Sequence, residues 1–184
     1  MSIGTPALVH LARERIPHTV HHYKILETGG PALARGERVH YGTAAAAVLG
    51  IPPAQMLKTL VVSLEHLVGT HGNAGGPGAR PAGTGLALLA VDREASLKLV
   101  ARAFGARRAA LLDAADVTKV TGYVIGGVSP FGTKRPLPVV IDDAVLSLPR
   151  IFLSAGQRGT AIEMASADLI RGLDARVAPI SGAE

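Results

Sequence analysis

At 184 residues with a formal charge of +5, the chain can bury one good core, whereas two independent domains would each be marginal; a single domain over 1–184 is expected. Apolar residues make up 48 % of it without an uninterrupted membrane-length run, and the N-terminus has neither a charged leader nor a cleavable apolar stretch, so the reading is a cytoplasmic protein with no membrane partner. The absence of cysteine excludes a disulfide framework, a thiolate nucleophile and a cysteine zinc site, while a pI near 10 biases the chain toward polyanions such as nucleic acid. Aromatics at 3 % argue against recognition by a platform of stacked bases.

In chain order, Thr5-Pro6 has the form of an N-cap followed by proline in the first helical turn, and Leu8, Leu11, Ala12 and Arg15-Ile16 continue at helical spacing until Pro17. His18 to Tyr23 has the bias of a strand; Gly29, Gly30, Pro31 and Gly36 mark a loop. Thr43 caps an alanine-rich helix that Gly50 stops, Pro52-Pro53 introduces a turn, and Leu57 to Val62 reads as a buried strand. Residues 69–85 are too rich in glycine to bury apolar surface and read as a flexible excursion between that strand and the next, Leu86 to Val91. Asp92 is the expected cap of a helix carrying Leu97, Val100, Ala101 and Phe104 on one face, with Glu94 four residues before Lys98 and Gly105 as terminator. A strand near Ala109 to Leu112 follows, then a helix from Asp113 and the loop Gly122 to Gly132. Strands are expected at Leu137 to Ile141, Ile151 to Ser154, Ala161 to Met164 and Ala175 to Ile180, with a helix from Ser166 to Leu173. Interleaved helices and strands of this kind make a mixed α+β sheet protein.

The loop from Thr121 to Gly132 (TGYVIGGVSPFG) is the least ordinary stretch. Its glycines at 126, 127 and 132 permit close approach of a ligand to the backbone, and Pro130 stiffens it. It lacks the second glycine of a nucleophile elbow around Ser129, and Thr133 stands between Gly132 and Lys134 where a phosphate-binding loop needs lysine directly. His21 and His22 would point to opposite faces of a strand and cannot chelate together, so no metal is expected; Asp142-Asp143 reads as a helix cap. Lys58, inside an apolar run, must snorkel or meet an anion.

Taken together, Gly126-Gly127-Val128-Ser129-Pro130-Phe131-Gly132 with Lys134 and Leu137-Pro138 resembles the G-x-x-x-P loop of the YbaK/prolyl-tRNA-synthetase-associated family, in its longer bacterial form that acts on cysteinyl-tRNA(Pro). Leu57-Lys58-Thr59-Leu60 resembles the family's lysine-bearing strand and Ser154 to Gly159 (SAGQRG) its S-G-G-K-R-G turn. Tyr23 stands at a pocket tyrosine, and Tyr41-Gly42 where an aromatic and glycine are usual. The likeness runs from about Thr5 to Ala178. The chain departs from it in the longer stretch between Tyr23 and Tyr41, in the loop at 69–85, and at Ala161, where relatives often carry aspartate.

The resemblance implies a barrel-like, mostly antiparallel sheet flanked by helices, and a deacylase that removes a wrong small amino acid from the tRNA(Pro) acceptor end, with prolyl-tRNA synthetase as a candidate partner and no cofactor. Lys58 and Gly126 are its candidate catalytic positions: Lys58 on the terminal phosphate or ribose, Gly126 among the backbone groups that receive an oxyanion. Tyr23, Tyr41, Thr59, Gly127, Val128, Ser129 and Pro130 would line the substrate, and Lys58, Lys134, Arg135 and Arg158 would contact tRNA. The chain offers no convincing nucleophile, which agrees with the family's implied route, attack by the cysteine substrate's own thiol. Alanyl-tRNA(Pro) as substrate, a non-catalytic tRNA- or synthetase-binding module, and a small-molecule hydrolase are the alternatives.

Overall fold

Thr5 accepts a hydrogen bond from the Leu8 amide (3.3 Å), and Pro6 opens α1 (Pro6–Arg13). The computed structural model describes residues 4–24, 41–65 and 83–182. The first helix stops at Arg13 rather than continuing to Ile16, because the chain reverses at Arg15, whose φ of 55° is left-handed. β1 (Thr19–His22) and α2 (Tyr41–Leu49) follow, and Gly50 ends α2 at a φ of 66°. A single 3₁₀ turn at Pro53–Gln55 then leads into β2 (Leu57–Glu65).

β3 (Gly83–Ala90) pairs antiparallel with β2, matching Val62 to Gly85 and Leu64 to Gly83, so the last three residues assigned to the glycine-rich excursion are strand. Gly85 is needed there because a Cβ would stand 2.7 Å from the Phe104 ring. Residues 69–82 of that excursion, and the loop at 29–36, lie outside the described residues. α3 (Leu97–Phe104) is capped by Ser96, not Asp92: Ser96 Oγ accepts from the Leu99 amide at 3.4 Å. The cap falls later because residues 91–95 form a turn tied to the C-terminal segment, with Ser96 N–H donating to Ile180 O (2.9 Å).

β4 (Arg108–Leu111), α4 (Ala114–Thr121), β5 (Val139–Asp142), β6 (Arg150–Ser154), β7 (Thr160–Ala165), α5 (Ser166–Gly172) and β8 (Arg176–Ala178) complete the chain. Asp142 is fully buried and caps the 3₁₀ turn after β5 through Ala144 N (3.1 Å), while its other oxygen accepts from Ile180 N (3.2 Å).

The architecture is α+β, as expected, but among the described residues the strands do not close into a barrel. They form a three-stranded sheet ordered β1-β7-β6 and a five-stranded sheet ordered β4-β2-β3-β5-β8, joined by a bridge between Met56 and Phe152. The β3–β5 and β5–β8 pairs are parallel, the others antiparallel. The strands β2, β3 and β5 bury apolar residues on both faces and form a middle layer. Leu57, Val61, Leu86, Leu88 and Ile141 pack toward the smaller sheet's Ile151, Leu153 and Ile162. The alternate residues Val62, Leu64, Ala87 and Leu89 pack under Val100, Ala101 and Ala103 of α3.

Gly132 fixes the end of the long loop against α1. A Cβ there would lie 2.3 Å from Pro6 O, and its φ is 63°, whereas Gly50 at φ 66° has open space. Gly50→Ala should therefore cost only the left-handed strain, about 1–2 kcal/mol. Gly132→Ala should cost at least about 2 kcal/mol more from steric overlap. Urea unfolding of both variants checks this, and equal losses would show that α1 does not seat the loop.

Candidate active site

The loop between α4 and β5 is closed at its base by Tyr123, a residue to which sequence reasoning gave no role. Its hydroxyl hydrogen-bonds to Phe131 O (2.7 Å) and lies 3.1 Å from Gly132 O, holding the two limbs together. Burial pushes this phenol up to about 12, against a smaller downward pull from the Ala7 backbone. The signal was present as a tyrosine directly after the helix-ending Gly122, eight residues before a Phe-Gly pair, but only the folded loop shows that they meet.

At the tip the loop is held from outside. Arg158 donates from Nε (3.1 Å) and Nη2 (2.8 Å) to the single carbonyl of Ile125, and its guanidinium carbon lies 4.3 Å from the centre of the Tyr41 ring. Tyr41 itself lies on Gly126: a Cβ at Gly126 would be 2.7 Å from the ring, and the glycine's φ is 85°. Gly127 lies against Gln157 and Arg158, where a Cβ would meet the Gln157 backbone at 3.1 Å. Its N–H closes a turn on Val124 O (2.9 Å), whereas the Gly126 N–H is bonded to no backbone acceptor among the described residues. The glycine loop, the first residue of α2 and the β6–β7 turn thus form one interlocked unit.

Lys58 reaches the same unit indirectly. Its ammonium donates to the carbonyls of Arg93 and, at 3.5 Å, Val91. Burial lowers its pKa, opposed by the charges of Glu94 and Asp92. The Val91 side chain abuts Gly42, where a Cβ would be 2.4 Å away, and Gly42 follows Tyr41. The first turn of α2 therefore touches the lysine's carbonyl cradle on one side and the glycine loop on the other.

The adjacent Thr59 does not share Lys58's face. Lys58 pairs with Leu89, on the α3 side of the sheet, and Thr59 with Leu88, on the side of the smaller sheet and the loop. Its Oγ1 is buried without a hydrogen-bond partner among the described residues, a condition that ordinarily costs about 1–3 kcal/mol and asks for an explanation. Tyr23 donates its amide to Gly159 O (2.9 Å) and packs beside Ala45, Ala46 and Phe152. Burial raises its pKa, partly offset by a hydrogen bond from the Gly159 backbone.

Other candidates lie apart from the tip. Ser129 is fully buried, and its hydroxyl accepts from the Phe131 amide at 3.4 Å, which stiffens the loop; Pro130 is buried beside it, and Val128 packs against the core. Lys134 lies along Gly122 at the loop's base, and Arg135 is exposed one residue on. His21 bonds Glu163 (2.7 Å), while His22 faces Thr160, the divergence that strand alternation predicts. Ala161 is buried at the register position between His21 and Ser154.

A family model described as the aminoacyl-tRNA editing domain matches residues 37–171, which contain the glycine loop, the Lys58 strand and the Arg158 turn. The chain belongs to this family. Among curated relatives, the editing-domain chain is 34 % identical over 117 residues to an Enterococcus faecalis protein provisionally named Cys-tRNA(Pro)/Cys-tRNA(Cys) deacylase EbsC, covering 64 % of this chain and 62 % of that one. It is 33 % identical over 87 residues to the Escherichia coli multifunctional Ser/Thr-tRNA deacylase ProXp-y, covering 47 % of this chain and 52 % of the relative. It thus spans less than two thirds of the length of either relative. Among solved structures, a protein provisionally described as a trans-editing enzyme for prolyl-tRNA synthetase superposes with a TM-score of 0.73 at 22 % identity, over 99 % of this chain and 100 % of that one. The hypothetical protein APE2540 superposes equally well, 0.73 at 20 % identity over 96 % and 99 %; both likenesses concern the fold.

If Arg158 holds the tip, Arg158→Ala should leave the core intact and loosen residues 124–127. Hydrogen exchange at the Gly127 amide should then quicken at least about tenfold, while core strand amides keep their protection. Arg158→Lys should fall between, because an ammonium cannot offer the paired donors or stack as a guanidinium does. Unchanged exchange in Arg158→Ala would show that the loop is rigid without it.

Proposed function

We propose that this chain is a trans-editing deacylase that releases a mischarged small amino acid from tRNA, with Cys-tRNA(Pro) as its substrate. The observation that carries the reading is the double contact of α2's first turn, which couples the Lys58 cradle to the Gly126 loop. An aminoacyl ester at a tRNA terminus presents two features to such a rim: a phosphate-bearing ribose, which suits an ammonium hydrogen-bonded to carbonyls with Glu94 and Asp92 nearby, and an ester carbonyl, which suits a fixed backbone N–H. The family match and the relatives' names support this substrate class.

The chemistry follows from what the rim offers. Lys58 anchors the terminal phosphate or ribose, and Gly126 N–H receives charge developing on the carbonyl oxygen; fixed donors of this kind cost no reorganisation in the transition state. Tyr41 keeps that amide in place from one side, and Tyr23 bounds the substrate. In the cysteine route the substrate sulfur forms a bond to its own carbonyl carbon and the ester C–O bond breaks. The thiol proton ends on the ribose oxygen, and a cyclic thiolactone departs. The protein supplies orientation, an effect that can account for roughly 7–11 kcal/mol of a barrier. Ala161, buried where the family resemblance leads one to expect an aspartate, supplies no carboxylate, which is consistent with a reaction that needs no activated water.

Lys58→Ala should lower kcat/KM for deacylation at least about 100-fold. Its thermal midpoint should stay within about 4 °C of the parent, since the folded state gains little from a half-buried, partly desolvated ammonium. Because burial depresses the Lys58 pKa, the positive charge is lost as pH rises through a value below that of a surface lysine. Wild-type turnover corrected for spontaneous ester hydrolysis should decline there, and Lys58→Arg should not show that decline. In a panel of tRNAs charged with cysteine, alanine, serine and threonine, cysteine should leave fastest. Faster release of alanine or serine would remove the thiol route, and salt-sensitive tRNA binding without any release would make the chain a binding module.

A further inference from the structure

We infer that the groove between α3 and β4, on the side of the molecule beyond Lys58, is a docking surface for an RNA phosphodiester backbone. The inference rests on the reading of charged tRNA as substrate for its biological occupant, though its physical basis is separate. The groove has a volume of about 670 Å³ and is walled by Lys98 and Arg102 of α3, by Arg107 and by Arg108 at the start of β4, over a floor that includes Leu97 and Ala101. All four cations are exposed.

Their charge is little compensated. Among the described residues the one ion pair in the groove joins Arg107 to Glu65 at a loose 3.9 Å, and Glu65 is also the register partner of Arg108. Lys98, Arg102 and Arg108 make no ion pair there. The helical spacing of Glu94 and Lys98 would have paired them, but Ser96 begins the helix, so Glu94 stands on the preceding turn together with Asp92 near the Lys58 ammonium. Four cations facing one carboxylate in a concave, partly apolar setting concentrate positive potential.

The placement selects the partner. Lys58 shares its face of β2 with Leu60, Val62 and Leu64, and α3 packs on that same face. The turn whose carbonyls hold Lys58 leads directly into α3, whose eight residues then run on for about 12 Å. Lys98 and Arg102, one helical turn apart, line the path from Lys58 toward β4. A strand of RNA with its terminus at Lys58 would lay successive phosphates along this path. Such contacts carry no sequence information, as suits a surface that reads only the backbone.

β4 is also an edge strand, and cations at an edge can serve simply to prevent sheet-to-sheet pairing. The two roles separate experimentally in the triple variant Lys98→Gln/Arg102→Gln/Arg108→Gln, with Arg102→Glu as a single substitution should the triple fail to fold. The substrates are full-length charged tRNA and an aminoacylated adenosine 5'-monophosphate, which has no second phosphate to reach the groove. The triple variant should raise KM for the tRNA about tenfold, reduce the slope of log affinity against log salt by about 2–3, and leave kcat and turnover of the aminoacyl mononucleotide as in the parent. An unchanged KM and salt slope would overturn the proposal, and so would self-association of the variant with undiminished tRNA affinity. If the parent releases no amino acid from any charged tRNA, the deacylase reading fails by itself. Binding of uncharged tRNA then decides this surface: weaker in the variant supports it, equal affinity overturns it.

Discussion

A guanidinium spent twice on one carbonyl is what the site's geometry depends on. Arg158 binds Ile125 O through two nitrogens and lies over Tyr41, and Tyr41 in turn lies over Gly126. Each contact requires the others: a larger residue at 126 would expel the ring, and without the ring the guanidinium would lose the surface on which it stacks. The loop tip consequently has a fixed shape even though Val124 and Ile125 are about half exposed. A backbone amide can stabilise a developing charge only if it is already in place, and this arrangement keeps Gly126 in place without a side chain of its own.

The same interlock distributes the chain's cations differently from what their count suggests. Arg158, expected as a tRNA contact, also fastens the loop, placing two of its five N–H groups on Ile125 O. Lys134 and Arg135 lie toward the loop's base. Lys58 is half-buried and hydrogen-bonded to the carbonyls of Val91 and Arg93, with the charges of Glu94 and Asp92 opposing the effect of burial. Three cations around the groove beside α3 have no carboxylate partner among the described residues, although none of them belongs to a recognisable motif.

Much of the fold was legible because it depends on local rules. The Thr5-Pro6 cap, the stop at Gly50, the apolar strands β2, β3 and β5, the opposed His21 and His22, and the cap at Asp142 all follow from spacing and residue chemistry over a few positions. What escaped depends on distant partners. Ser96 rather than Asp92 begins α3 because Ile180 and Ser181 hold the preceding turn. Among the described residues the strands form two sheets rather than one closed wall, an outcome that apolar runs alone do not distinguish from a barrel. At the site, Lys58, Tyr41 and the glycine loop were recognisable as a set, but the links between them were not. The small residue Gly42 that admits Val91, and the reach of Tyr123 across the loop's base, are relations between segments far apart in the chain.

The central claim is that α2's first turn, the glycine loop and the Lys58 cradle act together on one ligand, the aminoacylated end of a tRNA. Titration of the isotope-labelled protein with a hydrolysis-resistant, amide-linked cysteinyl adenosine 5'-monophosphate, followed by NMR, tests it most directly. Saturable shifts at the Gly126 and Gly127 amides, the Tyr41 ring and the Lys58 ammonium, all with one dissociation constant, are the predicted result. Saturable binding that leaves the Gly126 amide and Lys58 undisturbed would contradict it.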